Sequence, residues 1–274
     1  MTSSGEHHSE TPTTSPVSAV RLAEAVLAGR SPAVHSPFSL TVPPGEALAV
    51  VGGNNSGKSA LVRTVLGLLP PVAGRVRVLG VNMYRAASAE VASVRRRLGF
   101  VLPEGGLLSA MNVFDNLALQ MRYHGMYGEA PVRARVAHWL ERFKLDDVAT
   151  KRPASLSASE ARRVATARAL VHDPLVVLID EPFAYLDDKP SEVVLEALEE
   201  ARQRGATLLI ATMGGDRIAR LVDRHVQIEG GVVRNPTPRE SIPGSGEVDL
   251  GDVRRRLASN EAALPFLDAD HDVT

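Results

Sequence analysis

Two short stretches combine residue types that handle phosphate. The first, Gly52-Gly53-Asn54-Asn55-Ser56-Gly57-Lys58-Ser59, fits G-x-x-x-x-G-K-[ST] and runs on into Ala60. Backbone N–H groups of such a loop, and of the helix it opens, point at an anion that the helix dipole favours. Lys58 offers a compact cation to the β- and γ-phosphates of a nucleotide, and the Ser59 hydroxyl can ligate Mg²⁺. Asn55 stands where many such loops carry glycine, and Asn tolerates left-handed backbone angles. The second stretch, Val176-Val177-Leu178-Ile179-Asp180-Glu181-Pro182, is an apolar run ending in two acids. Asp180 is placed to hold Mg²⁺, directly or through water. Glu181 is placed to orient and polarise an attacking water.

These residues need rigid supports, and the surrounding pattern supplies them. Ala47–Val51 is a short apolar strand ending in glycines. Lys58–Leu69 switches to helical period, with Leu61, Val65 and Leu68 on one face. Arg75–Leu79 alternates like a strand, and Leu98–Leu102 is another short one. Val113–Tyr123, Val132–Phe143 and Ser159–Val171 read as helices, with Ser109 or Asn112 as candidate cap for the first. Trp139, Leu140 and Phe143 form the core of this helical insert. Leu175–Ile179 is continuously apolar, as expected of a strand buried on both faces. Pro190 opens the next helix, with Asp188 or Lys189 near its cap. Thr207–Thr212 is a further buried strand. Val226–Ile228 and Val232–Arg234 form a hairpin across Gly230–Gly231. The implied fold class is α/β: a P-loop nucleoside triphosphatase with a parallel-sheet core, antiparallel β elements and a helical subdomain.

Composition narrows the partners. Lys+Arg is 31 and Asp+Glu 32, a net charge of -1, which gives no basic excess for nucleic acid. There is no cysteine, so disulfides and thiolate metal sites are excluded. No apolar run approaches the ~20 residues that span a bilayer. Residues 1–18 read as a polar, disordered tail without signal-peptide character. Residues 235–274 read as a Pro/Gly-rich linker and C-terminal extension with a short helix near Val253–Ala262, leaving 19–234 as the nucleotide-binding domain and about 107–171 as its helical subdomain.

Further stretches make the chain resemble the ATP-binding cassette (ABC) family over about residues 37–234. Pro153-Ala154-Ser155-Leu156-Ser157-Ala158-Ser159-Glu160, followed by Arg163 and Ala167-Arg168-Ala169-Leu170, is similar to the signature L-S-G-G-Q and its trailing arginines. Leu186-Asp187 resembles the D-loop. Ala211-Thr212-Met213 ends a strand where the family has Thr-His. The resemblance implies ATP and Mg²⁺ as ligands and Glu181 as catalytic residue. It implies two cassettes, homo- or heterodimeric, each signature facing the partner's ATP, and a transmembrane permease driven from the inner face of the cell membrane. The run Leu102–Ser109 and Met111–Ala118 also resembles lipid-transport cassettes of the Mce/Mla type.

The chain departs from the family pattern at several points. Ala158 and Ser159 replace the signature glycines, and Glu160 replaces glutamine. Pro103 or Glu104 occupies the Q-loop position. Met213 replaces the histidine, and a thioether is a weak acceptor with no N–H to give. No aromatic stands in Val20–Arg30 to stack on a base. Three readings follow: a working ATPase subunit that drives a membrane permease, a nucleotide-binding regulatory subunit paired with a fuller cassette, and a soluble ABC ATPase without a membrane partner.

Overall fold

The computed structural model describes residues 18–28 and 34–238, with side chains to residue 234. The expected tail, most of the linker and the helix near Val253–Ala262 lie outside the described residues. Strands β1 (Val20–Val26), β2 (Phe38–Val42), β4 (Ala73–Val78) and β5 (Val81–Asn82) form an antiparallel sheet ordered β2-β1-β4-β5. A second sheet is ordered β10-β9-β3-β8-β7-β6, from β3 (Ala47–Val51), β6 (Leu98–Val101), β7 (Val176–Asp180), β8 (Thr207–Thr212), β9 (Arg224–Glu229) and β10 (Val232–Pro238). Its strands run parallel from β9 to β6, and β10 closes it antiparallel to β9. The α/β class and the mixed sheet match the expectation.

Burial explains why the central strands are apolar throughout. On β3, Ala47, Ala49 and Val51 face one core cluster with the helical insert, while Leu48 and Val50 face another with the antiparallel sheet. A strand covered on both faces has no solvent side to make polar. The helices are α1 (Lys58–Val65), α2 (Ser88–Arg95), α3 (Val113–Tyr123), α4 (Glu129–Arg142), α5 (Ala158–Leu170), α6 (Asp188–Gln203) and α7 (Asp216–Leu221). Helix α1 ends four residues before its apolar period does. Helix α2 was not read from the sequence: it is short, and Arg95, Arg96 and Arg97 mask its two buried residues, Val91 and Val94. Helix α6 begins at Asp188 with Asp187 at its N-cap position, so Pro190 is the third helical residue rather than the first.

The helical insert is tied down by one buried amide. Asn112 caps α3, its side-chain oxygen accepting from Asp115 N at 2.7 Å. Asn116 accepts from Leu108 N at 2.8 Å and donates to the carbonyls of Leu108, Met111 and Asn112. Much of the run similar to lipid-transport cassettes therefore has a structural reason: it fixes the loop that enters α3.

Candidate phosphate site

Strand β3 stops at Val51, and Gly52–Gly57 turn back over the start of α1. A Cβ on Gly52 would meet Ser56 Oγ at 2.5 Å and Ile228 O at 2.7 Å, so only glycine fits there. Gly57 has φ +111 and Asn55 φ 60, the left-handed angles the loop requires. Gly53, Asn54 and Asn55 form the exposed lip of the loop, while Ser56 Oγ is buried without a partner. Helix α1 carries no side-chain cap, and it is the one α-helix among the described residues with no acid in its first turn. Its first N–H groups and its dipole are left for an anion.

Lys58 is buried, and its ammonium lies over this loop. Nζ donates to Gly52 O at 2.6 Å and Gly53 O at 2.9 Å, and stands 4.0 Å from Glu181 Oε1. The neighbouring strand β7 brings the two acids to the same place. Asp180 faces the Ser59 hydroxyl, and its Oδ2 is buried without a partner. That oxygen set fits Mg²⁺, a hard cation bound by few protein ligands plus water and phosphate. Ala60 continues α1 behind Ser59. Glu181 follows at φ 52, a left-handed angle that costs a non-glycine residue about 1–3 kcal/mol and marks a constrained site. Its amide donates to Ala211 O at 2.8 Å, and Thr212 Oγ1 donates to its Oε2 at 3.4 Å. Burial is the main influence on both acids and raises the pKa of each, with Lys58 pulling both back down.

The altered positions are placed as follows. Met213, at the end of β8, is 57% exposed and offers no hydrogen to the site. Glu104 pairs with Arg63 of α1 at 3.3 Å, its side chain 68% exposed. The Pro103 carbonyl, not its ring, is engaged. Ser157 caps α5, accepting from Glu160 N at 3.1 Å, while Glu160 Oε2 accepts from Ser157 N at 2.7 Å. These bonds, led by the one from the Ser157 amide, lower the Glu160 pKa. The helix start is thus already served by a carboxylate of its own. Leu156 packs on the core, whereas Ala158 and Ser159 stand at the open helix end. No hydrogen bond or ion pair among the described residues joins Ser157–Glu160 to residues 52–59 or to Asp180 and Glu181. Asp187 is exposed and makes no side-chain cap bond.

One residue that sequence reasoning passed over organises the site. Arg162, 3% exposed on α5, donates to Asp180 O at 3.2 Å, Leu102 O at 3.4 Å and Pro103 O at 3.0 Å. Its guanidinium lies 6.0 Å from the Tyr185 ring. Arg168 repeats the device, donating to Gly106 O at 2.7 Å and Gly105 O at 3.0 Å. Helix α5 therefore holds the 102–106 loop against the acids of β7. The signal was present in the sequence: Arg162 lies on the same helical stripe as Ala165, Thr166 and Ala169.

Comparison with known proteins identifies the family and the fold. The family model for the ABC transporter matches residues 35–184. The methionine import ATP-binding protein MetN of Mesorhizobium japonicum is 34% identical over 241 residues, covering 86% of this chain and 66% of its own length. The nickel import ATP-binding protein NikO of Rhodobacter capsulatus is 37% identical over 214 residues, covering 75% of this chain and 83% of its own. The macrolide export ATP-binding/permease protein MacB of Chlorobaculum tepidum is 37% identical over 197 residues; the match covers 71% of this chain and 30% of that protein. Among solved structures, the dimeric ATP-binding cassette MJ0796 bound to ADP and Pi superposes with a TM-score of 0.73 at 24% identity, covering 80% of this chain and 98% of that one. The chain belongs to the ABC transporter family. It spans only part of several relatives' length, about two thirds of the first and under a third of the macrolide exporter.

Proposed function

We propose that this chain is the ATP-binding and ATP-hydrolysing subunit of a transporter. The convergence of Lys58, Ser59, Asp180 and Glu181 on one open helix start carries the reading. Loop N–H groups and the α1 start hold the phosphates, and Lys58 exchanges its loop carbonyls for phosphate oxygens. Ser59 and Asp180 would hold Mg²⁺, which when bound neutralises charge between the phosphates. Glu181, held by Thr212, orients the attacking water, and its raised pKa suits a group that takes up a proton. Arg162 keeps Asp180 and the 102–106 loop in register. Replacing Lys58 by Ala tests the binding half: ATP affinity measured by calorimetry falls at least tenfold, and unchanged affinity overturns the assignment.

The roles of Leu156–Glu160 and Asp187 belong to a dimer with a second cassette. They face that partner's ATP, and the exposed start of α5 supports this. No helix among the described residues is long and apolar enough to cross a membrane, so the proposed permease is a separate chain or a segment outside these residues, with this domain at the inner face of the membrane. The domain boundaries proposed above, 19–234 with a helical subdomain of about 107–171, follow the same reading. The named relatives handle methionine, nickel and a macrolide, which lends no support to a lipid cargo.

A second reading, a regulatory subunit that hydrolyses little alone, is favoured by three observations. Met213 has no hydrogen to give, Glu104 turns to Arg63, and Glu160 occupies its own helix start. Mixing with a fuller cassette separates the readings: a regulatory subunit gains activity only in the mixture.

A further inference from the structure

The outer face of the antiparallel sheet is a concentration of unpaired positive charge. Alternation along β1 and β4 turns Arg21, Arg75 and Arg77 outward while Val20, Leu22, Val76 and Val78 enter the core. Arg21 lies directly across from Arg77, and Arg75 across from Ala23. Like charges facing one another across strands destabilise a sheet. Arg85, in the turn before α2, joins Arg21 and Arg75 around a cleft of about 550 Å³. None of these four arginines makes an ion pair among the described residues. Arg77 alone has a bond, to Gly80 O at 3.3 Å. The single acid of the cleft, Glu24, accepts from Ser39 Oγ at 2.8 Å. Elsewhere Arg122, Arg142, Arg202, Arg217 and Arg224 pair with carboxylates, whereas Arg95, Arg162, Arg163 and Arg168 bond to backbone carbonyls.

The chain carries a matching anion close by. Residues 240–252 contain Glu240, Glu247, Asp249 and Asp252 and no Lys or Arg, between Arg239 on one side and Arg254, Arg255 and Arg256 on the other. Strand β10 ends at Pro238, across from Arg224. Arg224 Nη2 donates to Thr41 O at 2.6 Å, and Thr41 lies across from Arg21. The chain therefore leaves β10 within about 20 Å of the arginine face: two strand spacings of about 5 Å each and the reach of the Arg224 side chain between them. A tether this short gives effective concentrations on the order of millimolar, which compensates for the weakness of single surface ion pairs.

We propose that residues 240–252 dock through their carboxylates on Arg21, Arg75, Arg77 and Arg85. The docked segment crosses β1, whose following residue Leu27 bonds Val34, and Val34 packs against Gly57 of the phosphate loop. The C-terminal extension thereby restrains the support beneath that loop. The proposal rests on charge and topology and is independent of whether the chain hydrolyses ATP.

The absence of cysteine makes a direct test clean. Spin labels on Ser88→Cys and Ser245→Cys in the full chain report the distance from the segment to the cleft. At roughly 50 mM salt a single short-distance population is expected, and it broadens near 1 M, where the screening length falls to about 3 Å. The Arg21→Glu/Arg75→Glu/Arg85→Glu variant loses that population. Adding Glu247→Lys/Asp249→Lys/Asp252→Lys to it restores the population, which a merely misfolded variant would not do. A broad distribution at low salt, or a short one indifferent to charge reversal, overturns the proposal. So does displacement of the label population by inorganic phosphate or by phosphatidylserine vesicles at physiological salt, which would assign the face to a free or lipid anion.

Discussion

Glu181 combines three features at one Cα: a left-handed backbone, a partly buried carboxylate and a hydrogen bond from Thr212. Its raised pKa means the fold binds that proton more tightly than the unfolded chain. The resulting cost is absent at low pH, grows as pH rises through the unfolded value, and is complete above the folded one. Glu181→Gln is therefore expected to raise Tm by about 2 °C near neutral pH, a difference that disappears on acidification in a thermal scan. His172 works in the opposite direction. It is buried, its Nε2 meets Leu98 O at 3.2 Å, and burial lowers its pKa to about 4. Its contribution is complete above the unfolded value of about 6.5 and is lost as pH falls toward about 4. Denaturant titrations across that window are expected to show a shallower pH slope for His172→Gln than for the wild type.

At the scale of elements, α5 sets the geometry of the site. Arg162→Met leaves three carbonyls without their charged donor and is expected to cost about 3 kcal/mol in urea unfolding. Arg162→Lys recovers only part of this, since an ammonium cannot fork between β7 and the 102–106 loop. A chain of ion pairs braces α4 against the core: Arg135 with Asp173, Asp173 with Arg204, Arg204 with Glu200, and Glu200 with Arg142. An Arg142→Ala/Glu200→Ala double-mutant cycle is expected to give about 0.5 kcal/mol of coupling at low salt and less at high salt. The phosphate loop, the acid-ended strand and most helices were legible in the sequence because their chemistry is local. The bonds of Arg162 and Thr212 were not, because they join β6, β7 and β8, which are distant in sequence and adjacent only in the sheet. Helix α2 was missed for another reason: three arginines at its end hid a very narrow apolar face. The turn of Glu104 toward Arg63 depends on where α1 lies, which spacing alone does not specify.

At the scale of the molecule, one half of the proposed phosphoryl-transfer site is complete and the other half is altered. The P-loop, Asp180 and Glu181 stand together on the ends of adjacent parallel strands. The groups expected to approach the nucleotide from other directions are Met213, Glu104 and a self-capped Ser157–Glu160. The proposed function requires the complete half to suffice for turnover. Its most direct measurement is steady-state phosphate release from ATP and Mg²⁺ by the purified full chain beside its Glu181→Gln variant. Turnover by the wild type at about 100-fold or more above the variant is the predicted result. Equal release from the two would contradict the account.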